Sequence, residues 1–247
     1  MYTELNVWLD HFEYHAAHRS VMPETLREDL TGYERRLIAA SLARFQLAER
    51  LESGALLRVA LRHEAKQRAA PLARIVQLLI AEEQQHVELL GAFMEQHGLA
   101  PKRSDWLDRS YRRLRRLAGF ELHLSVLITT ELIAKVYLRA LEAATGSRQL
   151  QTLCRMLVAD ELAHIGFESE VLRELKARRA TLTRVGLEFL HRAFFTAAAV
   201  EAWLSHRAVL RSAGYRFVTF LRACSAQYAF YLEPPPLLSQ RRAHVCG

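Results

Sequence analysis

The stretch Ala159-Asp160-Glu161-Leu162-Ala163-His164, with its earlier counterpart Glu82-Glu83-Gln84-Gln85-His86, decides how this chain is read. Each contains Glu-x-x-His inside a long helical pattern. Residues three apart on a helix share a face, so the acid and imidazole of each can reach a common metal ion. About one such tetrapeptide is expected by chance in a chain with this much Glu and His. Position is what gives these two their weight. Around the first, the apolar seam runs Leu72, Val76, Leu79, Glu83, His86, Leu90, Phe93; around the second it runs Leu150, Cys154, Leu157, Glu161, His164, Glu168, Val171. Acid and imidazole thus occupy places where the four-and-three alternation calls for core hydrophobes. Burying a carboxylate among leucines is costly unless it is paired or binds a metal. Two helices with the same arrangement point to one shared site.

Working outward, each motif helix is preceded by another helix with an acid on its seam. The first long helix is expected from near Tyr33 into the sixties, with Gly54 as a tolerated weak point and a seam of Ile38, Leu42, Phe45, Glu49, Glu52, Leu56, Val59. A turn before Pro71 leads into the second helix, which stops at His97-Gly98. Either Glu49 or Glu52 comes level with Glu83 across this hairpin. The third helix is expected over about 120–144, with Glu131 the one acid on its seam of Leu124, Leu127, Ala134, Leu138 and Leu141. Lys135 follows Glu131 by one turn, so an ordinary ion pair is the plain alternative. Thr145-Gly146-Ser147 turns the chain into the fourth helix. Glu168 lies one turn past His164 on the same seam, as an extra ligand, a proton relay or an acid emerging into solvent at the bundle end. Asp160, beside Glu161, is a candidate to hydrogen-bond a histidine of the neighbouring helix.

The rest of the sequence bounds the reading. The chain has 247 residues, 51% of them hydrophobic, with only 10 Gly and 6 Pro. That scarcity of helix breakers predicts an all-α protein with long elements. We expect one domain over 1–247, with a core bundle at about 33–175, an N-terminal helical segment within 1–30, a helical extension over 178–232 and a tail over 233–247. His15 and His18 have no carboxylate at matching spacing and read as surface or inter-helix residues. The three cysteines (Cys154, Cys224, Cys246) are scattered and form no CxxC, so neither a disulfide framework nor a zinc site of that kind is indicated. No signal-like or membrane-length apolar run occurs, and a cytoplasmic protein is the natural expectation. The formal charge of +7 includes the cluster Arg112, Arg113, Arg115, Arg116. It reads as a solvated face or oligomer contact, or as a dock for an acidic partner such as an acyl carrier protein or a lipid-like acid. No aromatic platform accompanies it, which argues against nucleic acid.

One Glu from each of two helices and Glu-x-x-His from each of two others resembles the ligand set of the ferritin-like di-iron carboxylate proteins. The resemblance covers roughly residues 33–175. Phe45-Gln46-Leu47-Ala48-Glu49 is also similar to a Phe-Gln-Leu-Gly-Glu stretch in bacterial ferritin-like domain proteins of unassigned activity, as are Leu56-Leu57-Arg58 and the Glu-Glu-Gln-x-His around Glu83. It implies a four-helix bundle of two antiparallel hairpins joined by a long crossover at 99–118, with extra N- and C-terminal helices. It further implies two iron ions, or manganese or a mixed pair. Glu83 and Glu161 would bridge them, Glu49 (or Glu52) and Glu131 would be terminal, and His86 and His164 would complete the set.

Within that superfamily, the radical tyrosine of the ribonucleotide reductase small subunit would fall at Leu90, and a rubrerythrin-like peroxidase would carry a Cys-rich domain that this sequence lacks. The resemblance therefore implies an O2-activating oxidase or oxygenase acting on a small-molecule or carrier-bound acyl substrate, with an unassigned electron donor and a homodimer as a possible assembly. The alternatives are a ferroxidase or iron-handling protein, and a metal-free helical interaction protein. Phe194, Phe195, Trp203, Phe217, Phe220 and Tyr228 in the extension would cover the bundle, form a dimer interface or close a substrate pocket.

Overall fold

A computed structural model of the chain describes residues 5–22, 30–49, 53–102 and 119–233. Among them are eight helices and no strand: α1 (Leu5–Ala17), α2 (Gly32–Ala48), α3 (Ser53–Gln67), α4 (Leu72–Gln96), α5 (Phe120–Ala144), α6 (Arg148–Ala177), α7 (Thr181–Ser212) and α8 (Phe217–Leu232). The all-α expectation holds. No helix among the described residues is long and apolar enough to cross a membrane. Glu52, the arginine cluster, most of the 99–118 connection, Cys246 and the tail beyond Glu233 lie outside the described residues.

Local chemistry sets the helix ends. Thr31 and Glu34 form a capping box at the start of α2, and Glu34 Oε1 also accepts from the Gly146 amide at 2.5 Å, tying this end to the turn before α6. Ser147 caps α6 by accepting from Leu150 N–H at 3.1 Å. At the end of α4, Gly98 takes φ 65°. Gly98 N–H then reaches Glu95 O and Leu99 N–H reaches Met94 O, so the last carbonyls are satisfied. Of the expected first long helix, the described residues form α2 and α3, with Glu49 in the C-cap position of α2 and residues 50–52 lying outside those described.

Helix α5 packs most extensively on α6, α4 touches α2, α3 and α6, and α1 lies against α4. Their apolar residues form two separate cores. One joins α1, α3, the first half of α4, the start of α5 and the end of α6 through residues such as Leu72, Ile75, Leu79, Leu124, Phe167 and Val171. The other joins α2 to the second half of α4, the end of α5 and the start of α6 through Leu42, Phe45, Leu90, Phe93, Leu138 and Leu157. Glu83, His86, Glu131, Glu161 and His164 fall between them, so a buried polar layer separates two apolar ones. The opposite face of α5 (Ile128, Leu132, Val136) is covered by α7 and α8 through Phe195, Ala199, Trp203 and Phe220. Of the three roles open to the extension, covering the bundle is the one seen among the described residues.

Candidate metal centre

Two helices, α4 and α6, cross the polar layer with the same local pattern, acid-Glu-x-x-His. Glu83, His86, Glu131, Glu161 and His164 are each at most 4% exposed, whereas Glu49, at the end of α2, is half-buried. Their donor atoms form two groups. One atom each from Glu49, Glu83, His86 and Glu161 lie within 4.8 Å of one another, and so do one each from Glu83, Glu131, Glu161 and His164. Glu83 and Glu161 belong to both groups, while each group has its own histidine and its own terminal carboxylate. These buried groups can hold metal ions.

The histidines are oriented by the acids that precede the shared glutamates, and the arrangement is reciprocal. His86 Nε2 on α4 lies 3.1 Å from Asp160 Oδ2 on α6, and His164 Nε2 on α6 lies 3.0 Å from Glu82 Oε2 on α4. Bonding Nε2 outward turns each Nδ1 inward. His86 Nδ1 is 3.9 Å from Glu83 and 3.7 Å from Glu161; His164 Nδ1 is 2.9 Å from Glu83 and 3.7 Å from Glu161. The two rings stack at 5.9 Å between centroids, and Phe12 of α1 stacks on His164 at 5.8 Å. Asp160 was legible as a candidate for this role. Glu82 was missed, although it precedes Glu83 just as Asp160 precedes Glu161.

Apart from the 2.9 Å contact between His164 Nδ1 and Glu83 Oε1, many inward-facing atoms lack a hydrogen-bond partner among the described residues: His86 Nδ1, Glu161 Oε2 and, except for one another, the oxygens of Glu131 and Glu168. So many orphaned buried polar atoms in one place is exceptional for a native core. Electrostatics tell the same story. Burial, and then the Glu83 and Glu161 carboxylates, hold the Glu49 carboxyl well above its ordinary range. Burial, then Glu168 and Glu161, do the same to Glu131. Burial opposes protonation of His164, but Glu161, Glu82 and Glu83 together raise it well above its ordinary value. Burial would lift Glu82, yet His164 and His15 hold it down at about 2. Without metal, protons must therefore stand where cations would. The four carboxylates Glu49, Glu83, Glu131 and Glu161 carry four negative charges and match two divalent ions, with neutral imidazole on each. The donor set fits a hard-to-borderline divalent metal pair.

The other residues singled out in the sequence fall as follows. Glu168 does not emerge into solvent; it is fully buried and faces Glu131, because α6 continues well past it beneath α7 and α8. It belongs to neither four-residue group. Lys135 does not pair with Glu131 but turns outward to the Tyr231 hydroxyl at 3.1 Å, over that ring. His15 does have carboxylates near it, Glu82 and Asp160, supplied by two other helices. Leu90 is fully buried in the apolar core, as is Cys154, whose thiol is pushed up by burial.

The chain matches no family model, no curated protein and no solved structure.

Proposed function

We propose that the protein is a ferritin-like di-iron carboxylate oxidoreductase that activates O2, its metal pair one that Glu83 and Glu161, common to both donor groups, would help to hold. The reading is carried by one observation: two buried four-donor groups that share two carboxylates and each take one inward-facing histidine Nδ1. In this reading α2 with α3, α4, α5 and α6 form the four-helix bundle. Glu49 and His86 serve one metal, and Glu131 and His164 the other. Two ferrous ions, or manganese in their place, would supply the electrons that O2 activation requires. The chain's part is to hold them. Asp160 and Glu82 fix the imidazoles, the two apolar layers exclude water, and Phe12 closes the α1 side over His164. A metal-free interaction protein is disfavoured, because it would bury four carboxylates against two imidazoles, at a cost of several kcal/mol for each ion left unpaired.

In this reading the organic substrate enters between α6, α7 and α8. A cleft of about 300 Å³ between α6, α7 and α8 is lined by Leu172, Arg173, Lys176, Arg184, Glu188 and Tyr231. Three cations against one carboxylate suit an acidic small molecule or the acid end of an acyl group. Leu172 in its lining lies one helical turn beyond Glu168 on α6.

The test is anaerobic loading with ferrous iron, then air, comparing wild type with Glu161→Ala. We expect about two irons per chain and an oxo-bridged absorption, both lost in the variant, from the shared-ligand arrangement. No bound metal in wild type removes the proposal. Continued turnover of added ferrous iron without an organic substrate moves it to a ferroxidase.

A further inference from the structure

We infer that the outer face of the centre carries a third, exchangeable divalent-cation site, built by His15, Glu82 and Asp160. It goes beyond the dinuclear reading, and it shares with that reading only the two carboxylates that orient His86 and His164.

Helix α1 crosses α4 so that His15 Nδ1 lies 3.2 Å from Glu82 Oε1. One donor atom each from His15, Glu82 and Asp160 lie within 4.8 Å of one another. The two acids have inward duties for only one oxygen apiece: Glu82 Oε2 holds His164, and Asp160 Oδ2 holds His86. Their other oxygens are not taken by those histidines, and that of Glu82 is the one turned to His15. Two ligands at about 2.0–2.2 Å from one tetrahedral ion sit about 3.3–3.6 Å apart, close to the 3.2 Å hydrogen-bond spacing of His15 Nδ1 and Glu82 Oε1.

A second observation points the same way. His11, one turn earlier on α1, stacks on His15 with centroids 4.3 Å apart, and its Nε2 is buried without a hydrogen-bond partner. Burial, and then the neighbouring His15, keep this imidazole below its ordinary value, and Glu82 and Asp160 lie near enough to act on it. Imidazole and carboxylate donors together suit zinc, ferrous iron or manganese. Solvent reaches this site: the His15 side chain is 32% exposed and Glu82 14%, against 0% for His164. In a loaded centre, His86 and His164 are neutral ligands, leaving Glu82 and Asp160 with two formal negative charges and no cation. A divalent ion at His15 neutralises them.

The test uses the full chain stripped of metal and titrated with cobalt(II), with ions counted by native mass spectrometry and coordination followed by visible absorption. Wild type is expected to bind three ions, the third more weakly. His15→Ala should bind two, with the absorption of those two unchanged. His15→Gln keeps a hydrogen-bond donor toward Glu82 but is a poor ligand, and should weaken the third ion at least tenfold. Two ions in wild type and in both variants, with equal affinities, overturn the outer site and leave the dinuclear centre standing. A single ion in wild type, lost in His15→Ala and kept in Glu161→Ala, supports the outer site and removes the dinuclear reading. No bound ion in wild type overturns both.

Discussion

Glu131 and Glu168 face each other inside the protein, and among the described residues their oxygens have no donor other than one another. Burial first raises both carboxyls well above the ordinary 4.5; the Glu168 charge adds to it at Glu131, and the Glu83 and Glu161 charges add to it at Glu168. The sign of the consequence is opposite to that of a surface acid. A raised folded value contributes stability that is present below 4.5 and lost as pH rises through the folded values. Metal-free protein should therefore weaken from pH 5 toward pH 8. Glu168→Gln removes one of the two acids and should stabilise the metal-free chain at pH 8 by about 1–3 kcal/mol, with the gain shrinking toward pH 5. Urea denaturation of both proteins at the two pH values checks this. Parallel pH profiles would show that the pair does not behave as a buried like-charge couple.

At the scale of elements, α7 is fastened to the bundle by neutral histidines. Ser41 of α2 lies 2.8 Å from His206 Nδ1 and 2.9 Å from the Tyr137 hydroxyl of α5, while Thr129 of α5 lies 3.0 Å from His191 Nε2. Burial, helped by Arg44, lowers His206 to about 3; burial, helped by Lys176, lowers His191 to about 4. A histidine with a depressed folded value gives stability above its unfolded value of 6.5 that is lost as pH falls toward the folded one. Helix α7 should thus loosen between about pH 6.5 and 4 before the bundle itself. Hydrogen exchange along residues 181–212 would detect this as falling protection. His206→Gln keeps an acceptor for Ser41 without titrating, and should flatten the lower part of the profile. Helix α1 is held differently, by close packing: Trp8 donates to Glu170 at 2.9 Å, and a Cβ at Gly166 would come within 2.8 Å of the Trp8 ring. Glycine at that position is what lets α1 approach α6.

For the molecule as a whole, the polar layer is where α2, α4, α5 and α6 meet, so metal ions there would link all four. Saturation at a hundredfold excess over Kd is worth about 2.7 kcal/mol for one ion. For a chain of this size that raises the melting temperature by about 5–10 °C. Calorimetry with and without divalent metal should show that rise in wild type and not in Glu161→Ala. Equal melting temperatures with and without metal would mean the layer is not a metal site. Much of this arrangement was legible in the chain itself. Apolar periodicity, broken at Glu83 and His86 and again at Glu161 and His164, marks helices and the buried acids on them, because spacing along a helix dictates which residues share a face. Long-range geometry was not legible. Which histidine each acid holds, why Glu82 matters, where Glu168 is buried, and how His15 acquires carboxylates from α4 and α6 all depend on how separate helices cross. The sequence by itself determined the helical class and the inward-facing acids and imidazoles, since those follow from local periodicity. Only the tertiary structure decided their partners, because a hydrogen bond or a shared ligand between residues some seventy or eighty positions apart has no local pattern to announce it.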